Sequence, residues 1–319
     1  MSTLNIFDSR EVLDYLESNL GAVLEANKEA FRLHFLGNVN APNKIYLQPE
    51  NPHTADRVIA MPARVESNGE PITGIKWIGS HPENFKQGLP RANGLIILND
   101  PRTNAPKYLL DGTHISAYRT LATTILIIET LGRDSAKKVA ILGMGNLGNL
   151  HARILPELFP SIDKITACSK APNRPGLSDI VTRVGSPAEA VRDADIIVTL
   201  TTADQPYLER PMLKDGVLIV NLSLKDCVPE LFGAPTTVIV DDLAQSLAAK
   251  KIFNVAVDEG ILDIKDVPEL SSIAYGDVPV PEGLVIVNPL GMAVQDLVLA
   301  TRICETLGTK HCQSMSIGE

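Results

Sequence analysis

Apolar residues recur along this chain with two different periods, and the change of period divides it. Between Asp8 and Leu36 they return at helical spacing, as Val12, Leu13, Leu16, Leu20, Val23 and Leu24. Asp8 with Glu11 three positions later has the form of a capping box. Gly21 is a plausible break into two helices, and Gly37 a plausible stop. From Ala41 to Leu110 the pattern shortens to strands: DRVIAMPARV, ITGIKWIGS and GLIILND. Pro-, Asn- and Gly-rich pieces separate them, and NDPRTNAPKYLL reads as a hairpin turn. This predicts an antiparallel or mixed sheet in a non-nucleotide domain. THISAYRTLATTILIIETL then predicts a connecting helix over 113–131, capped by Thr113 and ended by Gly132.

From Lys137 to about Asn288 strands and helices alternate. The strands VAILG, KITACS, ADIIVTLT, GVLIVNLS, TTVIVDD and LVIVNP are nearly continuous apolar runs. Such runs belong to a parallel sheet covered on both faces. With helical pieces such as SPAEAVRDA between them, they predict a doubly wound α/β fold. GMAVQDLVLATRICETL predicts a last helix that returns to the first domain. The tail TKHCQSMSIGE is expected to be frayed.

Within this alternation KKVAILGMGNLGNLHARIL carries the clearest chemistry. Gly143, Gly145 and Gly148 have the G-x-G-x-x-G spacing, with a strand before and a helix after. Gly143 lets the chain turn off the strand. Gly145 lets a pyrophosphate approach the backbone, and Gly148 lets the helix pack close. The helix opening at Asn146 and Leu147 offers free N–H groups to phosphate. The stretch therefore predicts dinucleotide binding; the plain alternative is an ordinary tight turn. In NAD-specific domains an acid about 20 positions on binds the ribose 2′-hydroxyl. Here that place holds Ser169, Lys170 and Arg174, with no carboxylate at the strand end. A hydroxyl and two cations would attract a 2′-phosphate, which favours NADP over NAD; a solvated basic loop would look the same.

Composition narrows the rest. A chain of 319 residues is longer than one core usually serves. With 29 basic and 38 acidic residues the net charge is −9, which argues against nucleic-acid or anionic-membrane binding. No apolar run reaches a membrane span, and no basic stretch leads into an apolar core at the N-terminus. Four scattered cysteines suit a reducing cytoplasm and suggest neither a disulfide framework nor a metal site. The six histidines show no metal spacing.

Three residues outside the glycine turn draw attention. Lys76 lies inside an apolar strand, where it either snorkels at an edge or faces a pocket; exposed lysines are the rule. Arg119 sits among small and apolar neighbours in the connecting helix, as an anion-binding or a surface arginine. Asp226 follows a buried strand, beyond the carboxyl end where open α/β sheets bind ligands, and could serve as a base or merely cap a loop. His81 and Cys227 read as a loop histidine and a packing residue.

The stretches IKWIGSHPEN, NGLIILND, SAYRTLATT, ILGMGNLG, EAVRDADIIVTLTT and NPLGMAVQDL together resemble the ornithine cyclodeaminase/mu-crystallin family over nearly the whole length. The resemblance implies a Rossmann domain, residues 119–289, inserted into an α+β substrate-binding and dimerisation domain made of residues 1–118 and 290–319. It implies that Lys76 and Arg119 hold a substrate carboxylate. Thr120 would lie near the cofactor phosphates, with Thr201 and Thr202 also cofactor-binding. Asp226 would activate water and handle the substrate amine. A further family arginine aligns with Lys44, which lacks the bidentate fork. The stretch after Asp226, CVPELF, departs from the cyclodeaminase pattern DCPGKTE. VNLSLKD, VDDLAQS and VNPLGMAVQD are most similar to the dehydrogenases of 2,3-diaminopropionate biosynthesis. The activity implied is NAD(P)-dependent oxidation at a C–N bond, with N-(2-amino-2-carboxyethyl)-glutamate as first substrate. Ornithine cyclodeaminase, alanine dehydrogenase, ketimine reductase and a non-catalytic, crystallin-like NADP-binding protein are the alternatives. A homodimer is implied too.

Overall fold

A computed structural model describes residues 2–49, 56–67, 69–170, 177–309 and 312–318. The chain forms two compact units, Met1–Thr123 with Gly291–Glu319, and Thr124–Leu290. Arg119 and Thr120 therefore lie in the first unit.

The first unit opens with β1 (Ser2–Phe7), α1 (Ser9–Ser18) and α2 (Leu20–Phe35). There follow β2 (Val39–Asn40), β3 (Ile45–Leu47), β4 (Arg57–Val65), β5 (Ile72–Ser80), β6 (Ala92–Asn99), β7 (Pro106–Asp111) and α3 (Gly112–Thr130). The second unit contains β8 (Lys138–Leu142), α4 (Asn146–Leu158), β9 (Lys164–Cys168), β10 (Val181–Arg183), α5 (Pro187–Val191), β11 (Ile196–Thr199) and β12 (Leu218–Asn221). It continues with β13 (Thr237–Val240), α6 (Leu243–Ala248), α7 (Ile252–Asp258), α8 (Leu270–Tyr275) and β14 (Val285–Asn288). The chain then returns to the first unit as α9 (Ala293–Leu307) and β15 (Gln313–Ile317).

In the first unit the strands form one mixed sheet in the order β15-β1-β7-β6-β5-β4-β2, with β3 also on β4. The frayed tail expected from TKHCQSMSIGE is instead strand β15, antiparallel to β1. Its polar side chains are tolerated because an edge strand needs backbone partners on one side only. Cross-strand register fixes the two faces. Met61, Lys76, Ile96 and Leu110 lie opposite one another, are nearly inaccessible, and face α9, which packs on β4, β5 and β6. Ala60, Trp77, Leu95 and Asp111 share the other face, where Trp77 and Leu95 are 44% and 46% exposed.

Local signals mostly act as the sequence suggests. Asp8 and Glu11 form both bonds of the capping box, at 2.8 and 3.0 Å. Gly37 takes a left-handed φ of +71° at the end of α2. The break between α1 and α2 comes at Asn19 rather than Gly21, with Asn19 Nδ2 donating to the Tyr15 carbonyl at 2.9 Å. The cap of α3 is Asp111, which accepts from the Thr113 and His114 amides, and not Thr113, whose hydroxyl accepts from the Gly94 amide.

The second unit is a seven-stranded, wholly parallel sheet in the order β10-β9-β8-β11-β12-β14-β13. This is a doubly wound Rossmann sheet in which the last strand slips in ahead of its predecessor. Val139, Ile141, Ile197, Ile219, Val238 and Ile286 are at most 1% exposed, as strands covered on both faces require. The three-residue β10 is too short to have shown in the apolar pattern.

Candidate functional site

The glycine turn has the shape that its spacing demands. Gly143 has φ +100°, and a Cβ there would collide with the Leu200 carbonyl. A Cβ on Gly148 would strike the Gly143 carbonyl, so α4 packs against the turn with only hydrogen between. At Gly145 an added Cβ would meet nothing within 4 Å, leaving the backbone open to a ligand. Gly145 caps α4 without a side-chain bond, and Asn149 is the first residue whose amide bonds back, to the Gly145 carbonyl. The amides of Asn146, Leu147 and Gly148 thus lack helical acceptors. An open, positively polarised cradle of this kind fits a dinucleotide pyrophosphate.

Asp226 lies in the same unit, after the carboxyl end of β12. It is 0% exposed, so it is no solvent-facing loop cap. Its Oδ1 accepts a very short hydrogen bond from the Thr201 hydroxyl. The Tyr207 phenol also interacts with the carboxyl, although Oδ2 has no hydrogen bond of good geometry. Burial pushes the carboxyl above the usual aspartate range, while the hydroxyls of Thr201, Tyr207 and Thr199 oppose the rise. The loop before it is held by a buried network: Thr199 Oγ1 donates to Asn221 Oδ1 at 2.9 Å, and Asn221 Nδ2 to Asn288 Oδ1 at 2.7 Å. Two residues ahead of Asp226, Leu224 takes a left-handed φ of +65°, strained for a branched side chain. A buried carboxyl with a raised pKa and one under-bonded oxygen is suited to taking a proton.

Lys76 departs most from expectation. It neither snorkels nor lies on the surface; its side chain is 1% exposed, on the face of β5 beneath α9. Nζ is 2.6 Å from Asp296 Oδ2 and 3.4 Å from Ser116 Oγ. Arg119 Nε meets the other oxygen, Asp296 Oδ1, at 3.3 Å, with the arginine 12% exposed. Two cations share one carboxylate, which leaves one positive charge in excess. Burial lowers the Lys76 pKa to about 8; Asp296 opposes this and Arg119 adds to it. Gly291 has φ +82°, and a Cβ there would collide with the Arg119 guanidinium. Lys76 and Arg119 are thus brought together as a cation pair able to hold an anion.

The organiser of that pair, Asp296, is absent from the sequence reading. Its signal was present, since GMAVQDLVLATRICETL is apolar around Gln295 and Asp296, and an acid inside a buried helix needs a partner. Gln295, about 100° round the helix, bonds Asn27 of α2 at 2.8 Å and Thr123 of α3 at 2.7 Å.

The remaining candidates are less committed. Lys44 is half-buried just ahead of β3. The Thr120 hydroxyl donates to the Ser116 carbonyl at 2.7 Å. The Thr201 proton goes to Asp226, and Thr202 is exposed. Ser169 and Lys170 follow β9, where Arg183 Nη2 donates to the Ser169 carbonyl at 2.8 Å; Lys170 is exposed. Arg174 lies outside the described residues. Cys227 is buried in the apolar core of its unit. His81 bonds Asp56 at 2.8 Å.

A turn, a buried acid and a buried cation pair are three separate features, and the sequence as a whole ties them together. The profile of the ornithine cyclodeaminase/mu-crystallin family matches residues 7–311. The chain belongs to that family. It is 35% identical to an N-((2S)-2-amino-2-carboxyethyl)-L-glutamate dehydrogenase of Staphylococcus aureus, over 86% of each chain. Among solved structures it is similar to CmnK, with a TM-score of 0.89, 27% identity and 99% of each chain covered. It is also similar to an archaeal alanine dehydrogenase dimer with bound NAD, with a TM-score of 0.82, 26% identity, and 99% of this chain and 100% of that one covered. No described helix is long and apolar enough to cross a membrane.

Proposed function

We propose that this protein is a nicotinamide-dependent oxidoreductase acting on the C–N bond of an amino acid. The observation that carries the reading is the buried Lys76–Asp296–Arg119 cluster with its one excess positive charge. An α-carboxylate supplies the missing negative charge, and each charge-assisted bond to it contributes on the order of 1.5–3 kcal/mol. Holding the carboxylate at two points orients Cα, which lowers the barrier as well as the dissociation constant. Gly143, Gly145 and the amides of Asn146, Leu147 and Gly148 would hold the pyrophosphate of a dinucleotide, whose bound nicotinamide supplies a hydride acceptor. Loss of hydride from Cα and of a proton from the nitrogen leaves an imine. Asp226, with its raised pKa, takes a proton from water as the oxygen attacks the imine carbon. Asp226 passes that proton to the nitrogen, and the C–N bond then breaks as the hydroxyl proton moves to the departing nitrogen, giving an oxo acid and an amine. The relative from S. aureus is named for N-(2-amino-2-carboxyethyl)-glutamate. We infer the same substrate here, with 2-oxoglutarate and 2,3-diaminopropionate as products.

We infer NADP as the preferred cofactor. Ser169 and Lys170 at the end of β9, with the Arg183 guanidinium on the Ser169 carbonyl, supply cationic character where an NAD-specific domain carries an acid. We also infer a homodimer through the uncovered sheet face. Ile45, Leu47, Trp77 and Leu95 there are 44–58% exposed and share one sheet face, the kind of apolar cluster that marks an interface.

Absorbance at 340 nm with N-(2-amino-2-carboxyethyl)-glutamate and either cofactor, followed by mass identification of products, tests the reading. Reduction of the cofactor with release of 2-oxoglutarate supports it. No change with this compound, alanine or ornithine, in protein that binds a dinucleotide, would sink it.

A further inference from the structure

We propose a second anion-binding subsite at the end of the eight-stranded sheet, built from Arg57 and Ser80 on the Lys76 face with Arg91 from the start of the neighbouring strand, which takes a second carboxylate of the substrate. Arg57 opens β4 and Ser80 ends β5, and the register sets them directly opposite each other. Opposed residues share a face, and Ser80 is four positions from Lys76, so both lie on the Lys76 side. Tyr46 of β3, opposite Ile59, belongs to the same face. Arg57 Nε and Ser80 Oγ are both buried without a hydrogen-bond partner. A buried guanidinium N–H left unbonded costs stability, so an acceptor is missing from the picture.

The charges point the same way. Arg91 directly precedes β6, and its carbonyl accepts from the His81 amide at 2.9 Å. The residue as a whole is exposed, yet burial of its charged group and then the charge of Arg57 hold its pKa down. The two arginines are therefore neighbours, and among the described residues no carboxylate pairs with either. The nearest acid in sequence, Asp56, is bonded to His81 Nδ1 at 2.8 Å. Burial raises the Tyr46 phenol, with Arg57 opposing, which places that hydroxyl by the same cation. Two like charges with no counter-ion repel, and an anion between them removes the repulsion.

Spacing then sets the class of ligand. Four residues of strand separate Ser80 from Lys76, about 13 Å along the backbone, and both side chains reach inward from there. Alanine cannot span that gap. An amino acid carrying a second carboxylate on a long arm can. This rests on the oxidoreductase reading only in taking Lys76 and Arg119 as the first carboxylate site.

Calorimetry with N-(2-amino-2-carboxyethyl)-glutamate and with alanine tests it, in reduced cofactor so that no turnover occurs. Wild-type protein should bind the tricarboxylate more tightly. Arg57→Gln and Arg91→Gln should each weaken tricarboxylate binding about tenfold to a hundredfold and leave alanine binding within twofold, with Arg57→Lys in between. Ser80→Ala, a smaller change, serves if an arginine variant fails to fold, and should weaken the same ligand. Wild-type binding no tighter for the tricarboxylate, or unchanged binding in all variants, would overturn the subsite. Activity on another amino acid alongside such a result would leave the oxidoreductase reading standing. Intact tricarboxylate selectivity without turnover would do the reverse.

Discussion

Lys76 Nζ lies 2.6 Å from Asp296 Oδ2, and the two side chains are 1% and 0% exposed. A bond this buried is asymmetric in its consequences. Taking two ions out of water offsets much of their attraction, but removing one partner strands the other. Asp296→Asn should therefore cost about 3–5 kcal/mol in urea unfolding, as for other broken buried pairs. It should also lower the Lys76 pKa further, because the one neighbour that raises it is gone. At neutral pH the ammonium would then be partly discharged, and KM for the amino acid should rise. Full stability and unchanged KM in this variant would show that Asp296 organises nothing.

The pH dependence of Lys76 follows from its value of about 8 against the usual 10.5. On the proposed function its charge holds the substrate carboxylate, so kcat/KM should fall as pH rises through about 8. For stability the sign is opposite. Between 8 and 10.5 the unfolded chain holds the proton and the native one does not, so the native state gains as pH rises. Lys76→Arg keeps a cation that stays protonated throughout and should move the alkaline limb out of range. An alkaline limb that stays near 8 in Lys76→Arg would assign it to another group.

On the same proposal Asp226 should set the other limb. Burial raises its carboxyl, so the acid fall of kcat/KM should come above the ordinary aspartate range rather than within it. Asp226→Asn should cut turnover about 100-fold or more while leaving the dinucleotide dissociation constant unchanged. Near-normal turnover would take Asp226 out of the chemistry.

These residues also show what could be read from sequence and what could not. Period and punctuation revealed the two textures, the parallel sheet and the glycine turn, because each rests on local rules: continuous apolar strands, left-handed glycines, a capping box at Asp8. The bond between Lys76 and Asp296 spans 220 positions, and no local rule reports it. Lys76 alone looked like an ordinary surface lysine, since its strand alternation is the same whichever face is covered. What covers the face is α9, and its contact with β5 exists only in the fold. β15 escaped for a related reason: polar side chains hide a strand whose pairing depends on backbone alone.

The glycine turn gives a test that separates fold from ligand. At Gly145 an added side chain meets open space, so Gly145→Val should leave the thermal midpoint within about 2 °C, the effect of a few tenths of a kcal/mol in a domain of this size. It should nevertheless weaken dinucleotide binding, because the new methyls occupy the approach to the backbone. Gly148→Ala should do the opposite in order of severity. Its Cβ strikes the Gly143 carbonyl, so folding itself should suffer. Cofactor titration by fluorescence alongside thermal melts decides; equal affinity in Gly145→Val and wild type would place the pyrophosphate elsewhere.

His151 makes the acid stability of the second unit predictable. It is 0% exposed on α4, in the helix that follows the glycine turn. Nδ1 lies 2.7 Å from the Leu147 carbonyl, which can only accept, so Nδ1 carries the proton. Nε2 must then accept from the Thr124 hydroxyl at 2.9 Å. The ring has no room for a second proton without losing that bond. Burial lowers its pKa from 6.5 to about 4, with the Leu147 bond opposing. Above 6.5 the ring is neutral folded or unfolded, and pH has no leverage through it. Between 6.5 and about 4 the unfolded chain takes a proton that the native chain refuses, so stability falls as pH falls. The loss amounts to about 3 kcal/mol by the bottom of that window, and below it the native ring protonates too. His151→Gln keeps polar atoms near Thr124 and does not titrate. Denaturant unfolding from pH 7 to 4 should therefore show wild type losing about 3 kcal/mol more than His151→Gln. Parallel losses in the two proteins would mean that the buried imidazole is already charged in the native state.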